Sequence, residues 1–272
     1  MTRREESSEW DADSYDDDCA FVYEYGEHVI ALLDLASGAR VLDLGCGTGQ
    51  LSRRLCEDGA TVVGVDQSAR MVDRARARAQ HGDVDGLRFV HGDARELPAV
   101  LGPDAAGSFD AVFSNAALHW IPAEDHDDVL DGVSGLLTPG GAFVAELGGR
   151  GNVERIVGAV EAELRRRGYA VENPWYFPSV GGYAPRLEAH GLEVRVARLF
   201  DRPTELDGGD DGLRTWLAMF GDSLLAPVPD DAVDAVLSAV ESRLRDELYD
   251  GATWVADYRR LRFRAVKPPA SG

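Results

Sequence analysis

The run Val41-Leu42-Asp43-Leu44-Gly45-Cys46-Gly47-Thr48-Gly49 decides how this chain folds, because an apolar strand here ends in alternating glycines. Glycine lacks a Cβ and reaches positive φ without strain, so such a backbone can turn tightly and press against a nucleotide-like ligand. Leu51 to Cys56 follows at helical spacing, with Gly59 as its stop. The helix begins at the loop, and its unpaired amides are expected to point at whatever sits there.

The spacing reads G-x-G-x-G, whereas dinucleotide sites read G-x-G-x-x-G with an acidic residue about 20 positions on. An acidic residue is present, since Thr61-Val62-Val63-Gly64-Val65-Asp66 is a second apolar strand closing on aspartate. A nicotinamide cofactor, S-adenosylmethionine and a turn that merely links strand to helix all fit this much. Two further strands, Leu87 to Asp93 and Phe109 to Asn115, also end on polar residues. Parallel sheets bind ligands outside the carboxyl ends of their strands, so Asp43, Asp66, Asp93 and Asn115 are expected to converge on one crevice.

The segments VLDLGCGTG, VVGVD, GDARELP, FDAVFSNAALHW and LLTPGGAFVAELGG, in this order, resemble the class I S-adenosylmethionine-dependent methyltransferases. The resemblance implies a Rossmann-like doubly wound α/β sheet, mostly parallel with an antiparallel last strand. It also implies roles. Asp66 accepts from the ribose hydroxyls, Gly45, Gly47 and Gly49 let the backbone approach the methionine part, and Asp43 reaches the ammonium. Asp93 accepts from the adenine amino group beside the Ala94 amide, Gln67, Ser68 and Met71 pack the adenosine, and Asn115 and Ala116 border the sulfonium. Plainer readings stand beside these: Asp43 and Asp66 as helix caps, and Met71 as core.

A net charge of -20, with Lys267 the sole lysine beside 27 arginines, disfavours a nucleic acid partner, which recruits lysine and arginine to its phosphates. Acidic blocks such as Asp16 to Asp18, Asp125 to Asp128, Asp207 to Asp211 and Asp230-Asp231 read as solvated faces. The acidity and the missing lysine resemble proteins of salt-accumulating archaea. No apolar run approaches a membrane span and the start lacks a signal-peptide core, so a soluble, cytoplasmic protein is expected. Cys19, Cys46 and Cys56 lack C-x-x-C pairing, which argues against a disulfide framework or a cysteine metal site.

One structural domain is expected, with residues 1–35 as N-terminal lid helices, 36–200 as the core, 201–260 as a helical insertion acting as a lid, and 261–272 as last strand and tail. Within it, Gly26 to Leu35, Gln67 to Gln80, Ile156 to Arg167, Pro185 to His190, Leu213 to Phe220 and Asp231 to Tyr249 read as helices. Leu192 to Leu199 and Leu261 to Val266 alternate as strands. The patterns W-D-x-x-x-Y, F-V-x-x-Y-G, S-N-A-A-L-H-W and N-P-W-Y-F-P resemble the trans-aconitate methyltransferase-like branch, whose members methylate small molecules. Tyr15, Phe21, Trp120, Trp175 and Tyr176 are the pocket candidates, against packing in the core.

The implied reaction moves a methyl group to an oxygen or carbon of a small molecule, and requires mainly alignment and exclusion of water. His119 is the candidate base, or a donor to the acceptor, or simply a histidine packed beside Trp120. Arg150 is a candidate grip on an anionic substrate. A nicotinamide oxidoreductase and a non-catalytic S-adenosylmethionine-binding protein are the rival readings. The acidic surface yields a first prediction: screening of self-repulsion raises the melting temperature from low to molar KCl. A melt series with greatest stability at low salt removes the salt-adapted reading.

Overall fold

The computed structural model describes residues 26–82 and 85–269, built on one seven-stranded sheet. The strands are β1 (Arg40–Leu44), β2 (Thr61–Asp66), β3 (Leu87–His91), β4 (Phe109–Asn115), β5 (Leu137–Gly148), β6 (Glu193–Glu205) and β7 (Val255–Val266), in spatial order β3-β2-β1-β4-β5-β7-β6. β1 to β5 run parallel, and β7 is antiparallel to both β5 and β6. The expected Rossmann-like α/β sheet with an antiparallel last strand is therefore present. The order reverses at β1, with β2 on one side and β4 on the other, which opens a crevice at the carboxyl ends.

Both faces of the central strands are buried, as continuous apolar runs demand. Val41, Val62, Ala111, Phe113 and Val144 enter one core with Val29, Leu33 and Leu55. Their neighbours Leu42, Leu44, Val63, Val65, Val112, Phe143 and Ala145 enter the opposite core with Leu130, Val133 and Leu136. The period of two thus assigns each strand residue to a layer of helices.

The helices are α1 (Gln50–Glu57), α2 (Ala69–Gly82), α3 (Leu97–Leu101), α4 (His126–Leu136), α5 (Glu154–Arg167), α6 (Val180–Ala189), α7 (Gly212–Phe220), α8 (Asp222–Leu225) and α9 (Asp230–Leu248). Helix α6 starts earlier than the Pro185 signal suggested, because the Ser179 hydroxyl accepts the Gly182 amide at 3.1 Å and caps it there. Of the expected helix Gly26 to Leu35, residues 26–30 are helical and 31–35 are not. Trp10, Tyr15, Cys19, Phe21, Tyr23 and Tyr25, with residues 1–25 of the lid expected over 1–35, lie outside the described residues.

The last strand pair is longer than its sequence alternation suggested. β6 continues to Glu205 and β7 starts at Val255, paired throughout, so the insertion spans 206–254 rather than 201–260. Its helices pack against α5: Val157, Val160 and Leu164 share a core with Leu213, Trp216, Leu217, Val236 and Val240. β7 serves both cores, since Ala256 and Tyr258 join this one while Leu261, Phe263 and Ala265 join the core under β5.

Glu146 of β5 ties the edge of the sheet together. Its side chain is 3% exposed and receives Arg202 Nη1 and Nη2 at 2.5 and 2.8 Å, and Arg262 Nε and Nη2 at 2.7 and 2.6 Å. Arg262 Nη1 also donates to the His28 carbonyl at 3.4 Å, carrying the tie to the N-terminal residues of the described chain. Removing the carboxylate leaves two part-buried cations facing each other, which costs about 3–5 kcal/mol. Glu146→Ala is expected to lose that much in urea unfolding, and a loss below about 1 kcal/mol, the level of a surface pair, contradicts this account.

Candidate functional site

The glycine loop is held from behind. Gly45, Gly47 and Gly49 have φ of 75°, 53° and 80°, a region that a side chain strains. The Gly45 and Cys46 amides donate to the Val65 carbonyl at 2.8 and 3.1 Å, and the Gly47 amide donates to Asp66 Oδ2 at 2.8 Å. The second Asp66 oxygen, Oδ1, accepts the Ser68 amide at 2.8 Å. The amides of Gly45, Cys46 and Gly47 therefore turn inward to the end of β2. What the loop turns outward is bare backbone: a Cβ on Gly47 meets no atom within 4 Å.

That open side is a cleft of about 380 Å³ at the carboxyl ends of β1 to β4. Gly45, Gly47, Asp66, Gln67, Met71, Asp93, Ala94, Asn115, Ala116 and Trp120 line it, so ten of the residues singled out from sequence meet in one place. Asp43 and Gly49 do not line it. A Cβ on Gly49 would sit 2.4 Å from the Phe89 ring, so this glycine makes room for Phe89. Ala116, at φ 55° without being glycine, forms part of the wall, and its amide donates to the Glu146 carbonyl at 2.8 Å.

Asp43 lies behind the loop, buried, and accepts the Ser52 hydroxyl. Burial pushes its carboxyl up to about 7, opposed by the Ser52 hydrogen bond and reinforced by Asp66 nearby. Burial also raises Asp66, against the Ser68 and Gly47 amides that hold its charged form. Asp93 shifts the other way, because Arg95 Nε and Nη2 grip its carboxylate at 3.0 and 2.6 Å. Arg95 Nη1 reaches Asp125 at 2.8 Å, strapping the end of β3 to the Ile121-Pro122 wall. Sequence reading assigned Arg95 no role, although it lies within the quoted GDARELP segment.

A second, small cavity of about 40 Å³ adjoins the cleft and shares Ala116 and Trp120 with it. Its other walls include His119, Asn152, Trp175, Phe177, Trp216, Tyr258 and Arg260. Trp175 thus reaches a cavity, but Tyr176 does not: its ring turns to His126, 4.8 Å away, in the network where His126 Nδ1 lies 3.0 Å from the Tyr183 hydroxyl. Burial pushes His126 down to about 4, so it is neutral there. Arg150 is exposed and lines neither space; the cation at the cavity is Arg260, 6% exposed.

His119 is buried, and burial with Arg260 beside it holds its pKa well below the usual value. The Gly148 amide donates to His119 Nδ1 at 3.3 Å, so in the neutral ring the proton sits on Nε2. This arrangement makes His119 a hydrogen-bond donor and occupies the lone pair that a base would use.

The pattern of a methyltransferase domain matches residues 41–141. A Schizosaccharomyces pombe protein named as an uncharacterized methyltransferase is 36% identical over 268 residues, 95% of this chain and 98% of that one. Trans-aconitate 2-methyltransferase of Deinococcus radiodurans is 40% identical over 119 residues, 43% of this chain and 41% of its own length. The fold also resembles a Haemonchus contortus phosphoethanolamine N-methyltransferase solved with S-adenosylhomocysteine, at TM-score 0.57 and 20% identity, over 90% of this chain and 53% of that one.

Asp43 gives a pH prediction. Its carboxyl stands at 3.8 unfolded and about 7 folded, so between these values the native state binds more protons than the unfolded one. Stability from this group is full below about 4 and falls as pH rises through about 7. In urea melts at about pH 5 and about pH 8, Asp43→Asn should show a smaller fall than the parent chain. An equal fall in both means Asp43 is ionised when folded.

Proposed function

The chain belongs to the methyltransferase family, and on that premise we propose that it moves a methyl group from S-adenosylmethionine to an oxygen or carbon of a small-molecule acceptor. The observation carrying this reading is the meeting of Gly45, Gly47, Asp66, Asp93 and Asn115 in one cleft that adjoins an aromatic cavity through Ala116. The cleft volume falls within the range of about 300–1,000 Å³ usual for small-molecule sites. The residues present fit the donor: Gly47 opens its bare face into the cleft, and each Asp66 oxygen accepts one amide and keeps a lone pair.

In this reading Asp66 holds the ribose hydroxyls, Gly45 and Gly47 admit the methionine part, and Gln67 and Met71 flank the adenosine. Asp93 and the Ala94 amide face the adenine, and Asn115 and Ala116 border the reactive end. Asp43 acts from behind the loop, with a carboxyl that a nearby cation would ionise. The bound donor supplies an electrophilic methyl on a sulfonium. The protein's part is to align the acceptor behind it and keep water out, for which Trp120 lines both spaces and Trp175 and His119 line the smaller one.

The trans-aconitate methyltransferase-like branch is part of this proposal and rests on the aromatic segments, because the Deinococcus likeness spans under half the chain. The charge of -20 supports a small acceptor over nucleic acid, and a cytoplasmic, salt-adapted setting. No helix among the described residues is long and apolar enough to cross a membrane.

Calorimetry with S-adenosylhomocysteine and NAD tests the donor. Binding of the first and not the second is expected, and Asp66→Ala should weaken it roughly 10- to 100-fold, the cost of hydrogen bonds to a charged group. Tight NAD binding without affinity for S-adenosylhomocysteine overturns the proposal, and unchanged affinity in Asp66→Ala overturns the role of Asp66.

A further inference from the structure

Arg95 lines the cleft beside Asp93 and Ala94, and each nitrogen of its guanidinium donates to a carboxylate. Nε reaches both Asp93 oxygens at 3.0 Å, Nη2 reaches Asp93 Oδ2 at 2.6 Å, and the Arg95 amide reaches Oδ1 at 2.9 Å. Nη1 turns the other way, to Asp125 Oδ2 at 2.8 Å. Asp125 does not itself line the cleft.

An ionised carboxylate offers about four lone-pair positions and no hydrogen. Arg95 takes about three of them through its amide, Nε and Nη2, which leaves about one for a ligand. The same hydrogen bonds hold the Asp93 carboxyl below the usual carboxylate range. A group in this state accepts a ligand N–H and repels a ligand carbonyl oxygen. Its place is fixed as well, because Asp93 follows β3 while Asp125 follows Ile121 and Pro122 of the cleft wall, and Arg95 joins the two. An exposed ion pair alone contributes little, but here one guanidinium meets two carboxylates and grips the first with two nitrogens.

Resting on the donor reading above, we propose that Arg95 is a positioning residue for the nucleobase: it orients Asp93 as a pure acceptor for an exocyclic amino group and, through Asp125, keeps that acceptor in register with the cleft wall. The cleft then selects an amino purine over its oxo counterpart. Asp125, outside the cleft, contributes to that selection through Arg95. A plain structural tie across the turn Ala94–Glu96 would hold the wall without bearing on which purine enters.

Calorimetry on the full chain compares S-adenosylhomocysteine with S-inosylhomocysteine, whose purine carries an oxo group in place of the amino group. The parent is expected to bind the first about tenfold or more tightly. Arg95→Gln should weaken S-adenosylhomocysteine about fivefold or more and narrow the ratio between the two ligands, and Arg95→Lys, a point charge without the fork, should recover part of both. Asp125→Asn should weaken S-adenosylhomocysteine about threefold with a narrower ratio, and should add nothing in the Arg95→Gln background, since both substitutions break one strap. Parental affinity in Arg95→Gln, one common factor lost for both ligands, or losses from the two substitutions that simply add, each overturns the proposal. Should Arg95→Gln not fold, the ratio in Asp125→Asn decides in its place. A parent chain that binds neither ligand overturns the donor reading and this role with it. A parent that binds S-adenosylhomocysteine and S-inosylhomocysteine equally overturns the role of Arg95 and leaves the donor reading standing.

Discussion

The carboxylate of Asp66 fixes the geometry on which the rest of the site depends. One oxygen holds the Gly47 amide and the other the Ser68 amide, so a single side chain sets both the glycine loop and the start of α2. Taking a carboxylate out of water is costly, and two backbone donors offset part of that cost while leaving the group raised. With Gly45 and Cys46 also bound to Val65, the loop has only bare glycine surface to turn toward the cleft. Phe89 fills the space behind, where side chains on Gly49 or Gly64 would collide with its ring.

Charge is distributed unevenly across the two adjoining spaces. Asp43 and Asp66 lie close enough that the second raises the first, and both are raised by burial. A cationic ligand in the cleft relieves both at once, so its binding and their ionisation are linked. The smaller cavity has the opposite character, with Arg260 beside a histidine that stays neutral. The wall between the two is Ala116 in a left-handed conformation, a position that costs of order 1–3 kcal/mol unless the surroundings impose it. Here the hydrogen bond to Glu146 helps impose it.

The cleft was legible in the sequence because parallel strands present their ends together, and the polar residue closing each apolar run could be read directly. Less legible was anything depending on side-chain direction. Tyr176 shares its segment with Trp175, yet extended backbone alternates its side chains, and Tyr176 goes to His126 while Trp175 and Phe177 go to the cavity. Asp93 reads as an acceptor, but Arg95 two residues on already binds it. The inward amides of the loop follow from Asp66, 19 residues away from Gly47, a pairing that no local pattern encodes. Arg260 and Tyr258 were missed because β7 was read only from Leu261. The strand begins six residues earlier, where charged residues interrupt the apolar alternation although buried and partly buried residues alternate along it.

The two spaces draw on different parts of the chain. The cleft is lined from within residues 44–122, whereas most of the smaller cavity comes from residues 152–260, with Ala116, His119 and Trp120 drawn from the first stretch and only Ala116 and Trp120 lining both. Under the proposed reading, such a division lets the lining of the smaller cavity change through one stretch while the geometry of the cleft is kept. It also makes the chain divisible for engineering: grafting residues 152–254 from a relative exchanges most of one recognition surface across the β5–β7 seam and leaves the glycine loop and its Asp66 anchor untouched. New specificities would then arise by recombination, with the pocket's cation still supplied from the strand that the graft joins.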